Sequence, residues 1–262
     1  MAADGTAPGP PVEELRAALR ALADPLKAEQ QRAYLHSDLT HLGVRVPDLR
    51  RCVTATRRKL GPRPGPEALT LAQDLWSSSR AEPVYEYRWA AVELLVQYAG
   101  ALDAADLQRG VEPLLRECRT WALVDPLAVH CAGAVARRDP GAGAVLDRWI
   151  GDPDFWLRRA ALLALLPGIR ADHPDSARLL RYADALVDER EFFLRKALGW
   201  ALREASIRDP HLVTQWLDRH GPRVAPLTRR EALRRLPGRG NRRARQVPSG
   251  VGFAQHERGR ST

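Results

Sequence analysis

The sequence predicts an all-α protein, an α-α superhelix (solenoid) of about six helix pairs with a concave basic groove. Three observations lead there. First, one amphipathic helix start recurs along the chain. Phe155-Trp156-Leu157-Arg158-Arg159-Ala160-Ala161 has diverged copies at Trp121-Ala122-Leu123-Val124, at Tyr87-Arg88-Trp89-Ala90-Ala91, at Phe193-Leu194-Arg195-Lys196-Ala197 and at Thr228-Arg229-Arg230-Glu231-Ala232. The copies are separated by about 35 to 37 residues, or a multiple of that, and such a fixed period marks a stack of supersecondary units. Second, apolar residues follow helical spacing, as in Leu15, Leu19, Leu22 and in Leu179, Leu180, Ala183, Leu186, and no sustained period-2 run points to a strand. Third, Pro153, Pro167, Pro174, Pro210 and Pro226 fall at or between the segment ends, where the missing N–H is tolerated. The period is close to the tetratricopeptide length, but the Trp/Gly/Tyr/Pro pattern of that repeat is absent. The pairs are therefore read as HEAT-like.

In chain order, residues 1–10, rich in Ala, Gly and Pro, are expected to be a disordered leader. Helical text starts near Val12 and breaks before Pro25. The next helix is expected over about 26–42, carrying Tyr34 and ending at Gly43 as its C-terminal glycine. Pro47 suits the first turn of the helix that follows. Gly61 to Pro66 is a linker between this N-terminal cap and the regular array. From there helices are expected over about 67–79, 84–100, 104–116, 119–136, 141–150, 154–166, 174–188, 190–206, 209–219 and 227–236, which gives one solenoid domain over 11–236. Past Pro237 the basic run to Thr262 is expected to be a disordered tail.

Composition bounds the function. The chain carries 41 Lys and Arg against 32 Asp and Glu, a net charge of +9 with a pI near 10.1, which suits a polyanionic partner. The arginine excess equally fits a GC-rich genome. Cys52, Cys118 and Cys131 form no CxxC and no even framework, so reduced core thiols and a cytoplasmic protein are expected, nucleoid-associated if bacterial. No basic-then-apolar leader and no long apolar run argue for a signal peptide or membrane span. The histidines show no metal-ligand spacing, and Gly141-Ala142-Gly143 has no strand before it to make a nucleotide loop. Neither a metal nor a cofactor is expected.

Trp121 and Asp125 stand four residues apart, so an aromatic plane and a carboxylate share one helix face. A core tryptophan beside a paired surface aspartate fits the same spacing. Arg158 and Arg159 point about 100 degrees apart, so only one can share the face of the repeat's working positions. Arg195-Lys196 and Arg229-Arg230 take the matching place in the next two repeats, and a cation recurring at one repeat position would form a stripe suited to a phosphate backbone. Gly199 in mid-helix, costing about 1 kcal/mol against alanine, implies close approach of a neighbour or ligand beside Trp200. Trp76, Trp89, Trp149, Trp156 and Trp216 read as packing residues.

Together these blocks resemble the AlkD family, the DNA alkylation repair glycosylases of HEAT-like fold. The resemblance rests on Tyr34, Leu42-Gly43-Val44 and Pro47-Asp48-Leu49-Arg50-Arg51; on Thr120 to Asp125; on Trp156 to Ala161; on Glu191 to Glu204 with its Lys-Ala-Leu-Gly-Trp core; and on Leu227 to Leu233. It runs in family order over about residues 30–235. It implies that Asp125 is the catalytic residue and that Trp121, Arg159 and Trp200 bind the lesion site, with Tyr34 beside them. Arg50, Arg158, Arg195, Lys196, Arg203, Arg229 and Arg230 are the candidates for contact with the DNA backbone. Thr120 stands where the family often has a second tryptophan, and Ala122 and Leu123 stand where it often has acidic or polar residues.

The implied chemistry is coherent. A purine alkylated at N3 or N7 is cationic, so its glycosidic bond needs little help from an acid. A carboxylate such as Asp125 can stabilise the charge developing on the sugar and direct a water to C1′. Tryptophan faces attract the cationic base, each contact being worth about 0.5 to 2 kcal/mol, and Arg159 would hold a flanking phosphate. Most glycosylases extrude the base, whereas this family is known for leaving it stacked, and the sequence offers no obvious wedge. No lysine lies among the matched site positions, so hydrolysis without lyase activity is expected. The implied partner is double-stranded DNA with alkylated bases, bound by a monomer that does not associate with membranes. Two other readings share the same features: a non-catalytic DNA-binding HEAT protein and a protein-binding HEAT scaffold.

Overall fold

A computed structural model describes residues 9–77, 82–171 and 174–236; the expected leader up to residue 8 and the basic tail lie outside the described residues. Among the described residues the regular structure is helical, apart from one isolated parallel bridge between Thr40 and Val84. The helices are α1 Pro10–Ala21, α2 Pro25–Leu35, α3 Val46–Leu60, α4 Gly65–Ser77, α5 Tyr85–Tyr98, α6 Ala104–Asp106, α7 Glu112–Arg116, α8 Trp121–Pro126, α9 Gly133–Ala136, α10 Ala142–Trp149, α11 Phe155–Leu163, α12 Leu166–Arg170, α13 Ser176–Ala185, α14 Phe192–Ser206, α15 Pro210–His220 and α16 Pro226–Ala232. Wider π-helical turns, Leu107–Val111 and Leu127–Ala132, join α6 to α7 and α8 to α9. None of the described helices is long and apolar enough to cross a membrane.

Short polar side chains start these helices where the sequence places them. Asp24, Thr120, Asp154, Asp175 and Asp209 each accept a backbone N–H of the first turn, and Asp103 and Asp106 form a reciprocal capping box. Proline occupies the first turn of α1, α2, α3, α7, α12, α15 and α16, where its fixed φ is already helical.

Pairing makes two layers. α4 packs on α5, α10 on α11, and α14 on both α15 and α16. The second helices also stack on one another, α3 on α5, α5 on α8, α8 on α11, α11 on α14 and α14 on α16, more densely than the first helices do. The stack therefore curves with the second helices on its inner, concave side. The first helices are linked by a ladder of aromatic donors and acids one repeat apart. Trp149 donates to Glu112 at 2.8 Å, Tyr182 to Asp147 at 2.6 Å and Trp216 to Asp184 at 2.7 Å. Trp76, Trp149, Trp156 and Trp216 are buried, which suits a packing role; Trp89 is only half-buried. Cys118 and Cys131 are buried free thiols, and Cys52 is half-buried.

Two expected helix ends need correction. The helix expected over 26–42 ends at Leu35, because His36 takes a left-handed conformation (φ 48°) and caps it. Gly43 is therefore not a helix terminator. At φ 82° it is pressed against the start of α2, where a Cβ would fall 2.1 Å from the Asp24 carbonyl oxygen. The fully buried Glu86 carboxylate accepts the N–H groups of Leu42, Gly43 and Val44 at 2.8, 2.7 and 3.2 Å and pins this segment to α5. The helix expected over 154–166 is likewise split: α11 stops at Leu163 and Pro167 lies in the first turn of α12.

Candidate active site

Thr120 begins the site. Its hydroxyl oxygen caps α8, so the next residue, Trp121, opens that helix at the inner edge of the stack. The turn before it has Arg119 in a left-handed conformation (φ 56°), tied to Asp38 at 2.9 Å. That contact brings the region after α2 against α8, and the exposed Tyr34 ring meets Trp121 edge-on at 6.3 Å and 74°.

One turn further, Asp125 meets Arg159 of α11. Arg159 Nε donates to Oδ1 at 2.7 Å and Nη2 to Oδ2 at 2.8 Å, the parallel fork that fixes a carboxylate in both direction and plane. The third guanidinium nitrogen donates to the Phe193 carbonyl at the start of α14. Arg159 is 4% exposed, so it is a buried bracket joining three successive inner helices. The Asp125 side chain is more open, at 16%. Directly after Asp125, Pro126 lacks the N–H an α-helix needs, and the chain continues into the π-helical turn Leu127–Ala132. Of the positions where the sequence departs from the resembling family, Thr120 serves as the cap, Leu123 is fully buried in the core and Ala122 is half-buried.

Trp200 lies two turns after Phe193 on α14, and no hydrogen bond ties it to the Asp125–Arg159 pair. Its indole Nε1 donates to Glu204 at 3.2 Å, and Glu204 accepts from Arg170 at 3.0 Å. The close approach that Gly199 implies is to a neighbouring helix: a Cβ there would lie 2.5 Å from Glu231 Cβ and 2.9 Å from the Thr228 carbonyl oxygen. Ring contacts and hydrogen bonds thus link Tyr34 to Trp121 and Asp125 to Arg159, and tie Trp200 to Glu204 and through it to Arg170.

The arginines assigned to a DNA track fall into two sets. Arg158 donates to the Asp152 and Pro153 carbonyls at 2.8 Å and pairs with Glu189 at 3.0 Å; one repeat later Arg195 donates to the Glu189 carbonyl at 2.7 Å. Each reaches back six residues to close the turn before its own helix, so the recurring cation at this position has a structural job. Arg203 pairs with Glu231 at 2.8 Å, and Arg229 donates to the Leu217 and Gly221 carbonyls at 3.0 Å. Lys196 and Arg230 are exposed, and Arg50 holds Glu93 at 2.9 Å through Nε alone while its side chain is about half exposed.

The carboxylates Glu93 and Glu204 had a readable signal. Trp-x-x-x-acid occurs at Trp89/Glu93, Trp121/Asp125 and Trp200/Glu204, each acid held by an arginine from another helix. His130 lies near Glu93, Arg170 and Arg50; burial lowers its pKa, partly opposed by Glu93. Among the described residues no group of His, Cys, Asp and Glu could hold a metal ion.

The fold and these clusters define a curved all-α repeat protein whose inner layer presents indoles, carboxylates and guanidinium groups together. The chain belongs to the DNA alkylation repair enzyme family, whose model matches residues 15–236. It is similar to the structure of a predicted DNA alkylation repair enzyme from Enterococcus faecalis, with 21% identity over 82% of this chain and 97% of that one and a TM-score of 0.67. It is also similar to AlkD2 from Streptococcus mutans, with 19% identity over 80% of this chain and 99% of that one and a TM-score of 0.56. At these identities the likeness is one of fold. No curated protein matches the chain.

Proposed function

We propose that the protein hydrolyses the N-glycosidic bond of cationic N3- or N7-alkylated purines, such as 3-methyladenine and 7-methylguanine, in duplex DNA. The base stays in the stack, and an abasic site is left. The observation that carries this reading is the Asp125 carboxylate, gripped in a defined plane by Arg159 with Trp121 and Tyr34 beside it. A fixed carboxylate needs no reorganisation when positive charge develops on the deoxyribose, and it can orient the attacking water. Trp121 and Trp200 supply π faces for the charged base. Of the cations matched to the DNA backbone, Lys196 and Arg230 are exposed and Arg50 is about half exposed, which supports a role for them in meeting phosphates. The reading requires no cofactor and no Schiff-base lysine, and it works in a monomer.

A second reading, DNA binding without catalysis, is favoured by one feature: both Asp125 oxygens already face Arg159. Base release separates the two. Wild-type protein should liberate free 7-methylguanine from duplex DNA, and Asp125→Asn should bind that DNA equally well and release about a hundredfold less or lower still, the scale of losing one preorganised electrostatic group. Equal release by both proteins would remove Asp125 from the reaction.

A further inference from the structure

Of the three Trp-x-x-x-acid units on the inner layer, two are wired differently from the one at Asp125. Trp200 Nε1 donates to one oxygen of Glu204 at 3.2 Å, and the other oxygen accepts from Arg170 Nε at 3.0 Å. Trp89 donates to Glu93 at 3.3 Å, and the oxygen that receives it also accepts from Arg50 at 2.9 Å. Asp125 receives no such bond from Trp121 and faces Arg159 with both oxygens. Glu204 is 12% exposed at its side chain, whereas Arg170 is 47% exposed, so the carboxylate is the fixed partner of the indole. The backbone under Trp200 is fixed as well, because Gly199 is pressed against α16 with no room for a Cβ.

A carboxylate that accepts an indole N–H pushes electron density into the ring. The face of the ring becomes more negative, and its attraction for a cation rises more than its contact with a neutral ring of the same shape. The geometry points to Glu204 as a specificity-determining residue: acting through the Trp200 indole, it makes that face select for positive charge on the base rather than for the added alkyl group. Glu204 is a positioning residue, since it acts through the indole that donates to it. This inference rests on the proposed glycosylase reading, in which Trp200 meets the alkylated base.

The test is equilibrium binding to two duplexes in which a 2′-fluoro sugar blocks hydrolysis. One carries 7-methylguanine, a cation; the other carries 7-deaza-7-methylguanine, its neutral isostere. The quantity read is the ratio of the two affinities. Wild type should favour the cation, and Glu204→Gln should lower that ratio by about three- to tenfold while leaving affinity for the neutral duplex within about twofold, the scale of part of one cation–π contact. In a Trp200→Phe background, which has no N–H to polarise, Glu204→Gln should no longer change the ratio. An unchanged ratio in Glu204→Gln would overturn the inference, as would an equal loss on both duplexes or the same fall in ratio with phenylalanine at 200. A wild type that does not distinguish the duplexes would overturn the underlying reading instead. Arg170→Gln covers the case in which Glu204→Gln fails to fold. It removes an exposed competitor for the carboxylate and should raise the ratio, and a fall would count against the inference.

Discussion

Arg159 shows most clearly how one residue serves both stability and the site. It is buried, holds Asp125 by two bonds and reaches the Phe193 carbonyl, so its removal leaves a carboxylate and a carbonyl without their donor. Arg159→Leu is expected to lower stability by about 2 to 4 kcal/mol, toward the lower part of the range for breaking a buried pair because Asp125 keeps some access to water. Adding Asp125→Leu should recover part of that loss, which denaturant unfolding of the single and double variants would measure. His41 gives a second residue-scale test. Its ring stacks on Tyr85 at 4.6 Å, neither ring nitrogen has a partner, and burial and nearby Arg32 push its pKa down to about 4 from 6.5. Below 6.5 the unfolded chain takes up a proton at this residue that the folded chain refuses until about pH 4. Stability contributed here is thus complete above pH 6.5 and is lost as pH falls toward 4. His41→Phe should flatten that part of the stability profile, and an unchanged slope would count against it.

At the scale of elements, the helix starts were legible because their determinants are local. Asp154, Asp175 and Asp209 cap the helices that follow them, and first-turn prolines are readable from spacing alone. The segment 36–45 was not legible. Its shape depends on a left-handed His36 and on Glu86, more than forty residues away, satisfying three of its N–H groups. The helix expected over 119–136 is interrupted after Asp125 by a π-helical turn that spacing does not announce, and the packed structure shows how the chain absorbs Pro126 there. Gly199 tests how tightly the last two inner helices depend on each other. Alanine would gain about 1 kcal/mol in helix propensity, but its Cβ would meet α16 at 2.5 Å. Gly199→Ala is therefore expected to destabilise, by about 1 to 3 kcal/mol of overpacking, measurable as a fall in Tm.

The whole molecule is a repeat array whose period was visible in the sequence and whose layers follow from it. The charge of +9 was visible too, but which cations are free was not. Arg158 and Arg195 recur at one repeat position because each closes the turn before its helix, and periodicity alone cannot separate that role from a phosphate track. The partition is testable by the salt dependence of duplex binding. Lys196→Gln and Arg230→Gln should each reduce the slope of log affinity against log salt by about one, the value for one lost phosphate contact. Arg158→Gln should leave the slope unchanged and lower stability, since its donors serve Asp152, Pro153 and Glu189. The Asp125–Arg159 fork, in contrast, was only half legible: the Trp-x-x-x-Asp spacing put an indole and a carboxylate on one face, and the resemblance named Arg159, but their direct pairing across a repeat came from the packed structure.

The most direct measurement is release of free base from duplex DNA carrying 7-methylguanine, run side by side with wild type and Asp125→Asn. Release by the wild type, a large loss in the variant and the same DNA affinity in both are expected. No release by the wild type, from 3-methyladenine DNA as well, would contradict it and leave a DNA-binding protein in which the pair joining Asp125 to Arg159 serves the fold alone.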